Sequence, residues 1–237
     1  MNDAWAISQT WQLISLLVVA GSLHAGFQVA ISVLTGLSVR HFGFGRPHAA
    51  LLMHSGAYVA GVAAATVALL FSLLYLVTLT NHSSLLWAAI TGYGVAVGII
   101  VMFVYYRSGP GTMLWLPRGV AAFLETRIKK TDTSIESFSL GIMTVVAELP
   151  FVLAPLLIAA MVLSGQVNIL HVTGVVIYGL IGVVPLLIII ALIGGGRKLS
   201  TIQRWREANK GFLQFASGLG LIVISLYAFV NYCLGSP

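Results

Sequence analysis

The sequence predicts an all-α, polytopic integral membrane protein of six transmembrane helices arranged as a 3+3 inverted repeat. Three observations predict it: six long apolar stretches, the confinement of every Lys and Arg to three patches between them, and an echo between the third stretch and the sixth. The stretches lie near 11–36, 49–78, 84–106, 138–163, 168–194 and 212–232. About 20 helical residues at ~1.5 Å rise cross a ~30 Å hydrocarbon core, so each is long enough to span it. Composition agrees, because 59% of the 237 residues are hydrophobic and only 8% charged, against about 25% charged in soluble domains.

The basic patches set the expected orientation. Arg40 and Arg46 form the first, Arg107, Arg118, Arg127, Lys129 and Lys130 the second, and Arg197, Lys198, Arg204, Arg206 and Lys210 the third. Six crossings put all three on one side. The N-terminus, the Asn81–Ser84 turn, the Ser164–Asn168 turn and the C-terminus fall on the other, without a Lys or Arg. The positive-inside rule then places the basic loops in the cytoplasm and both termini outside the cytoplasmic (inner) membrane. The net charge of +6 reads as orientation plus attraction to anionic headgroups, not as a nucleic-acid surface. The expected partners are the lipid bilayer and a small solute or ion, with no nucleic acid. The oligomeric state stays open.

The whole chain, 1–237, reads as one transmembrane domain with a first half 1–106, a cytoplasmic connection 107–137 and a second half 138–237. The first stretch is too long for a signal-peptide core and is preceded by Asp3 as its only charge. Gly43-Phe44-Gly45-Arg46-Pro47-His48 reads as a tight turn. In the long connection Ser108-Gly109-Pro110-Gly111 breaks the third helix. Pro117–Lys130 then reads as a short helix whose Val120, Phe123, Leu124 and Ile128 suit the headgroup layer. Thr133-Ser134-Ile135-Glu136 fits a capping box that launches the fourth span. Ser200-Thr201-Ile202-Gln203 fits a similar cap on a brief helix around Trp205, with Gly211 separating it from the sixth span. The lone Cys233 cannot form an intramolecular disulfide and reads as an apolar filler.

The repeat shows in two segments. Aligned without a gap, 91–106 and 217–232 match at Gly92/Gly218, Gly94/Gly220, Val97/Val223, Phe103/Phe229, Val104/Val230 and Tyr106/Tyr232. His54, Gly56 and Gly61 in the second span echo His171, Gly174 and Gly179 in the fifth, with a gap. Three spans per half force the halves to cross in opposite directions, the layout of many secondary transporters.

Glu148 is the only acidic residue inside an apolar stretch. Ten residues into the fourth span, it lies ~15 Å deep, close to the bilayer centre. A carboxylate there costs on the order of 3 kcal/mol if it faces lipid, so it is either protonated or partnered. Two roles fit: a functional carboxyl, or a hydrogen-bonding tie between helices. Pro150 and Pro155 each remove a backbone donor, so an irregular helix lining a cavity is expected across 148–155. In the first span His24 and Gln28 stand one turn apart on one face. Gly21, Ala25 and Gly26 around them let another helix approach. His24 is the expected partner of Glu148, the plain alternative being a buried imidazole bonded to a backbone carbonyl. His54 and His171 near span ends read as solvated. No tight spacing such as HxxxH occurs, so no metal site is expected. There is no GxSxG, HExxH or CxxC, and neither catalytic residues nor a cofactor are expected.

On these features the chain resembles the superfamily of LysE exporters and the DsbD/CcdA transmembrane domain. The likeness is best over 138–232: Gly141 through Glu148-Leu149-Pro150-Phe151 to Pro155, then Gly179, Gly182 and Pro185, Gly194-Gly195-Gly196-Arg197-Lys198, and Gly218. Over 1–106 it is mainly topological. The resemblance implies a six-span inverted-repeat protein that moves a small solute, an ion or reducing equivalents. CcdA-like members relay electrons through a Pro-Cys in the first and fourth spans. Here Phe151 follows Pro150, and the first span has neither Cys nor Pro, so Glu148 replaces a thiol as the reactive group. The expectation is a secondary transporter or exporter with Glu148, His24, Gln28, Pro150 and Pro155 at its solute or ion site. A non-transporting assembly or anchoring protein is the alternative.

Overall fold

The computed structural model describes residues 2–26, 29–43, 48–80, 84–105, 118–195 and 199–234. Among them all regular structure is helical. Five helices are long and apolar enough to cross a membrane, and a bent pair at the start makes a sixth if counted as one span. The elements are α1 (Asn2–Gly26), α2 (Val29–Gly43), α3 (His48–Thr78), α4 (Ser84–Ile100), α5 (Arg118–Lys130), α6 (Ser134–Ser164), α7 (Asn168–Gly194), α8 (Leu199–Ala208) and α9 (Lys210–Phe229). Both α4 and α9 run on into a π turn, Val101–Tyr105 and Val230–Leu234.

The first apolar stretch is not one straight helix. Trp11–Gly26 and Val29–Val39 meet at 49°. The fourth span, by contrast, stays helical from Ser134 to Ser164 with Pro150 and Pro155 inside it. The irregular helix expected at 148–155 is therefore absent from α6, and the irregularity lies in the first span. Surrounding helices hold α6 in place, since 67% of its most apolar window is buried against 33–39% in the other four spans. Tertiary packing outweighs two missing backbone bonds.

Small residues make that packing tight. A Cβ added at Gly141 would collide with the Tyr58 carbonyl and the Val62 nitrogen, and one at Gly61 with the Phe138 carbonyl. The backbones of α3 and α6 thus touch, as small residues permit in membranes. In the same way α4 and α9 meet at Gly98 and Gly218, where each added Cβ would lie 2.8 Å from the other residue's carbonyl oxygen. Gly21 abuts Ile181 of α7 and Gly26 abuts Ser217 of α9, the close approach that small residues in the first span predict.

The capping box at Thr133 forms. Its hydroxyl accepts from the Glu136 N–H at 3.2 Å, and the Glu136 carboxylate accepts from the Thr133 N–H at 2.9 Å. The second expected cap does not: α8 already begins at Leu199, which puts Ser200 inside the helix. Asn209, and not Gly211, separates α8 from α9. On α5, Leu124 is buried and Ile128 lies against Gly36 of α2, so this helix docks on the bundle as well as suiting an interface. Exposed Glu125 and Lys129 pair at 2.7 Å, which holds that carboxyl below its ordinary range. The tight turn expected at 43–48 lies largely outside the described residues.

The apolar core falls into two clusters. One contains Leu17, Leu70, Trp87, Phe151, Leu156 and Tyr178, and the other Val29, Leu34, Tyr58, Leu140, Val145 and Val183. On α6 the boundary falls between Val145 and Phe151, where Glu148 sits. Gly141→Ala is expected to destabilise the protein in detergent by about 1–3 kcal/mol through overpacking. Gly92→Ala, whose added Cβ meets nothing within 4 Å, is expected to be neutral or stabilising. Thermal unfolding of the two variants side by side checks the contrast.

Candidate functional site

The polar groups between the two clusters converge on the break in the first span. A helix start leaves its first N–H groups without partners, and in hydrocarbon each unsatisfied group is costly. Val29 is the first residue of α2, and its N–H donates to Glu148 Oε1 at 3.0 Å. Glu148 is only 4% exposed. Its carboxyl therefore accepts from the first N–H of α2, where the helix dipole also favours negative charge. One residue on, Tyr58 of α3 donates its hydroxyl to the Ala30 carbonyl at 3.0 Å. Arg206 of α8 donates from Nη2 to Ser32 Oγ at 3.0 Å. The first turn of α2 is thus held from α3, α6 and α8.

The other side of the break is held separately. His24, in the last turn of α1, lies 3.2 Å through Nδ1 from the Tyr178 hydroxyl of α7, with the two rings edge to face. Both residues are buried. The expected His24–Glu148 pair is not formed: the imidazole turns to α7, while the carboxyl is taken up by the backbone of α2. Gln28 lies outside the described residues.

The prolines stand apart. Pro150 is exposed, since two residues along a helix turn it about 200° from Glu148, and its carbonyl accepts the Tyr93 hydroxyl of α4 at 2.6 Å. Pro155 is buried on the face of Glu148 but about 10 Å further along, beside Ala154 and Leu156 of the cluster that contains Phe151 and Tyr178. Neither opens the helix at the carboxyl.

His54 and His171 are not simply solvated. His54 is 4% exposed, and its Nδ1 lies 3.3 Å from Ser137 Oγ, linking α3 to α6. The Nε2 of partly buried His171 has no hydrogen-bond partner among the described residues. Cys233 Sγ reaches the Ser84 carbonyl at 3.6 Å, beside the stacked rings of Trp87 and Tyr232. Among the described residues no three His, Cys, Asp or Glu lie close enough to hold a metal ion.

Sequence reasoning missed Tyr58, Tyr178 and the Val29 N–H. A signal existed for the tyrosines: each is a phenol deep in an apolar stretch, and a buried Tyr hydroxyl needs a partner. No signal marks a single backbone N–H. Comparison of the chain with protein-family models, with curated proteins and with solved structures gives no match.

Tyr58→Phe deletes the hydroxyl that holds Ala30. Hydrogen bonds between membrane helices average about 0.6 kcal/mol and reach about 1.7 kcal/mol, so a loss in that range is expected on unfolding in mixed micelles. Tyr75→Phe, at an exposed position of the same helix, is expected to stay within about 0.5 kcal/mol of wild type.

Proposed function

We propose that this chain is a secondary transporter or exporter of a small solute or ion, working by alternating access with Glu148 as its coupling carboxyl. The observation that carries the proposal is the buried Glu148 carboxyl capping the half-helix α2 at the break in the first span. Discontinuous spans whose half-helix ends face polar groups near the midplane are a recurring construction of transporter sites. A carboxylate accepts the Val29 N–H more strongly than a neutral acid does. Taking up a proton or exchanging the carboxylate for a solute weakens the cap and frees α2 to move against α1. His24 and Tyr178 hold the α1 side of that hinge, and Gln28 belongs to the same segment.

Helix packing supports the inverted repeat. Numbering the spans α1/α2, α3, α4, α6, α7 and α9 as one to six, span two packs on four as one packs on five. Span three packs on four as one packs on six, while one–four, two–five and three–six, which the repeat maps onto themselves, all pack. The π turns that close spans three and six are a further likeness. The LysE and DsbD/CcdA resemblance points the same way, with Phe151 in place of the cysteine that thiol relay needs.

Glu148→Gln keeps an oxygen for the Val29 N–H but cannot exchange a proton. In proteoliposomes its coupled uptake or release of solute is expected to fall to background, with folding and insertion unchanged. Transport at the wild-type rate would remove Glu148 from the mechanism. The alternative reading, an assembly or anchoring protein, is favoured by the same bond, since Glu148–Val29 ties α6 to α2 whether or not anything moves. It predicts that no solute gradient dissipates in wild type and that Glu148→Ala loses stability where Glu148→Gln does not.

Orientation follows from the basic patches, with α5 and α8 in the cytoplasm and the Gly165–Val167 turn outside. In a Cys233→Ser background, Val167→Cys is expected to react with an impermeant maleimide on intact cells. Glu125→Cys is expected to react only after permeabilisation, and the reverse pattern would invert the topology.

A further inference from the structure

A cavity of about 660 Å³ lies beside the break, walled by α1, α7, α8 and α9 with Ile31 of α2. We propose that it binds an anionic phospholipid, with the phosphate at Arg206 and one acyl chain along α7. The site requires the chain to be membrane-embedded and is independent of the transport reading.

The apolar wall is one face of α7: Ile181, Val184, Pro185, Ile188 and Leu192 recur at helical spacing. Val184 and Ile188 are also 44% and 53% exposed, so the cavity opens sideways, toward the surface that faces lipid. A water-soluble solute gains nothing from such an opening, whereas an acyl chain enters through it. Its volume lies within the ~300–1,000 Å³ usual for sites that enclose a ligand.

The polar end is built on α8. Arg206 lines the cavity while only 5% exposed, together with Thr201. Glu207 follows it directly in sequence and Arg204 and Lys210 lie two and four residues away, while no Asp or Glu is among the described lining residues. The bond from Nη2 to Ser32 Oγ at 3.0 Å fixes the direction of the guanidinium. A guanidinium carries its five N–H donors in a planar fork, the geometry that phosphate oxygens accept. Trp205, 60% exposed at the rim, is the residue type that settles at the headgroup level. Gly26 and Ile31 put both sides of the break in the wall, so a bound lipid braces the angle between α1 and α2.

The test titrates delipidated, purified protein in detergent with phosphatidylglycerol or phosphatidylcholine, reading thermal stability and lipid retained in native mass spectra. Wild type is expected to retain phosphatidylglycerol and to gain stability with it well beyond the effect of phosphatidylcholine. Arg206→Gln is expected to weaken apparent phosphatidylglycerol affinity on the order of tenfold, as loss of a charge-assisted contact implies. Should that variant fail to fold, Val184→Trp decides: it fills the apolar arm at a lipid-facing position, leaves Arg206 intact, and is expected to lose the retained lipid. Equal effects of the two lipids on wild type, or unchanged phosphatidylglycerol binding by Val184→Trp, would overturn the proposal. Stabilisation by octanoate or inorganic phosphate alone, matching that by phosphatidylglycerol, would assign the cavity to a soluble anion and overturn it too.

Discussion

The hydrogen bond from the Val29 N–H to Glu148 is the constraint on which the rest of the arrangement depends. Breaking a membrane helix exposes backbone donors that hydrocarbon cannot satisfy. The first two helices meet at a bend, so something must meet the N-terminus of α2, and Glu148, the only acidic residue inside an apolar stretch of the sequence, does so. Each element answers a need of the other. The helix start needs an acceptor, and a carboxyl only 4% exposed needs a donor. The Tyr58–Ala30 and Arg206–Ser32 bonds then fix the direction in which α2 leaves the break.

Rigidity and mobility divide accordingly. The central α6 carries two prolines and remains a continuous helix, because α3 touches it backbone to backbone at Gly61 and Gly141 and its remaining faces are largely enclosed. The first span is held at its 49° bend by side-chain hydrogen bonds instead, from Tyr178 on the α1 side and from Glu148, Tyr58 and Arg206 on the α2 side. In the proposed mechanism α6 is the fixed post that bears the carboxyl, and α2 is the part that moves. The lipid proposed for the neighbouring cavity would act on the same hinge from the bilayer side.

Much of this was legible in the sequence. Apolar length gave the helices long enough to cross a membrane, and the Thr133 capping box gave the start of α6. Glu148 stood out because an acid in an apolar stretch has so few physical explanations. The location of the break was misread, since Pro150 and Pro155 are the stronger local signal and Gly26 the weaker. Local propensity does not decide where a helix breaks when packing can hold a proline-bearing helix straight. The partner of His24 was also misread. Nothing in a one-dimensional pattern says which way an imidazole turns about its helix, and Tyr178 lies 154 residues away in sequence. The cavity beside Arg206 was invisible for the same reason, being made from five helices that only the tertiary fold brings together.

The central claim is that the charge on Glu148 sets the angle between α1 and α2. Nitroxide labels at Ile14 and Val39, both exposed and on opposite sides of the break, allow that angle to be followed as a distance distribution by pulsed electron resonance. The account predicts a distribution that shifts with pH in wild type and is locked at every pH in Glu148→Gln. A single pH-independent distance in wild type, or an identical shift in the variant, would contradict it.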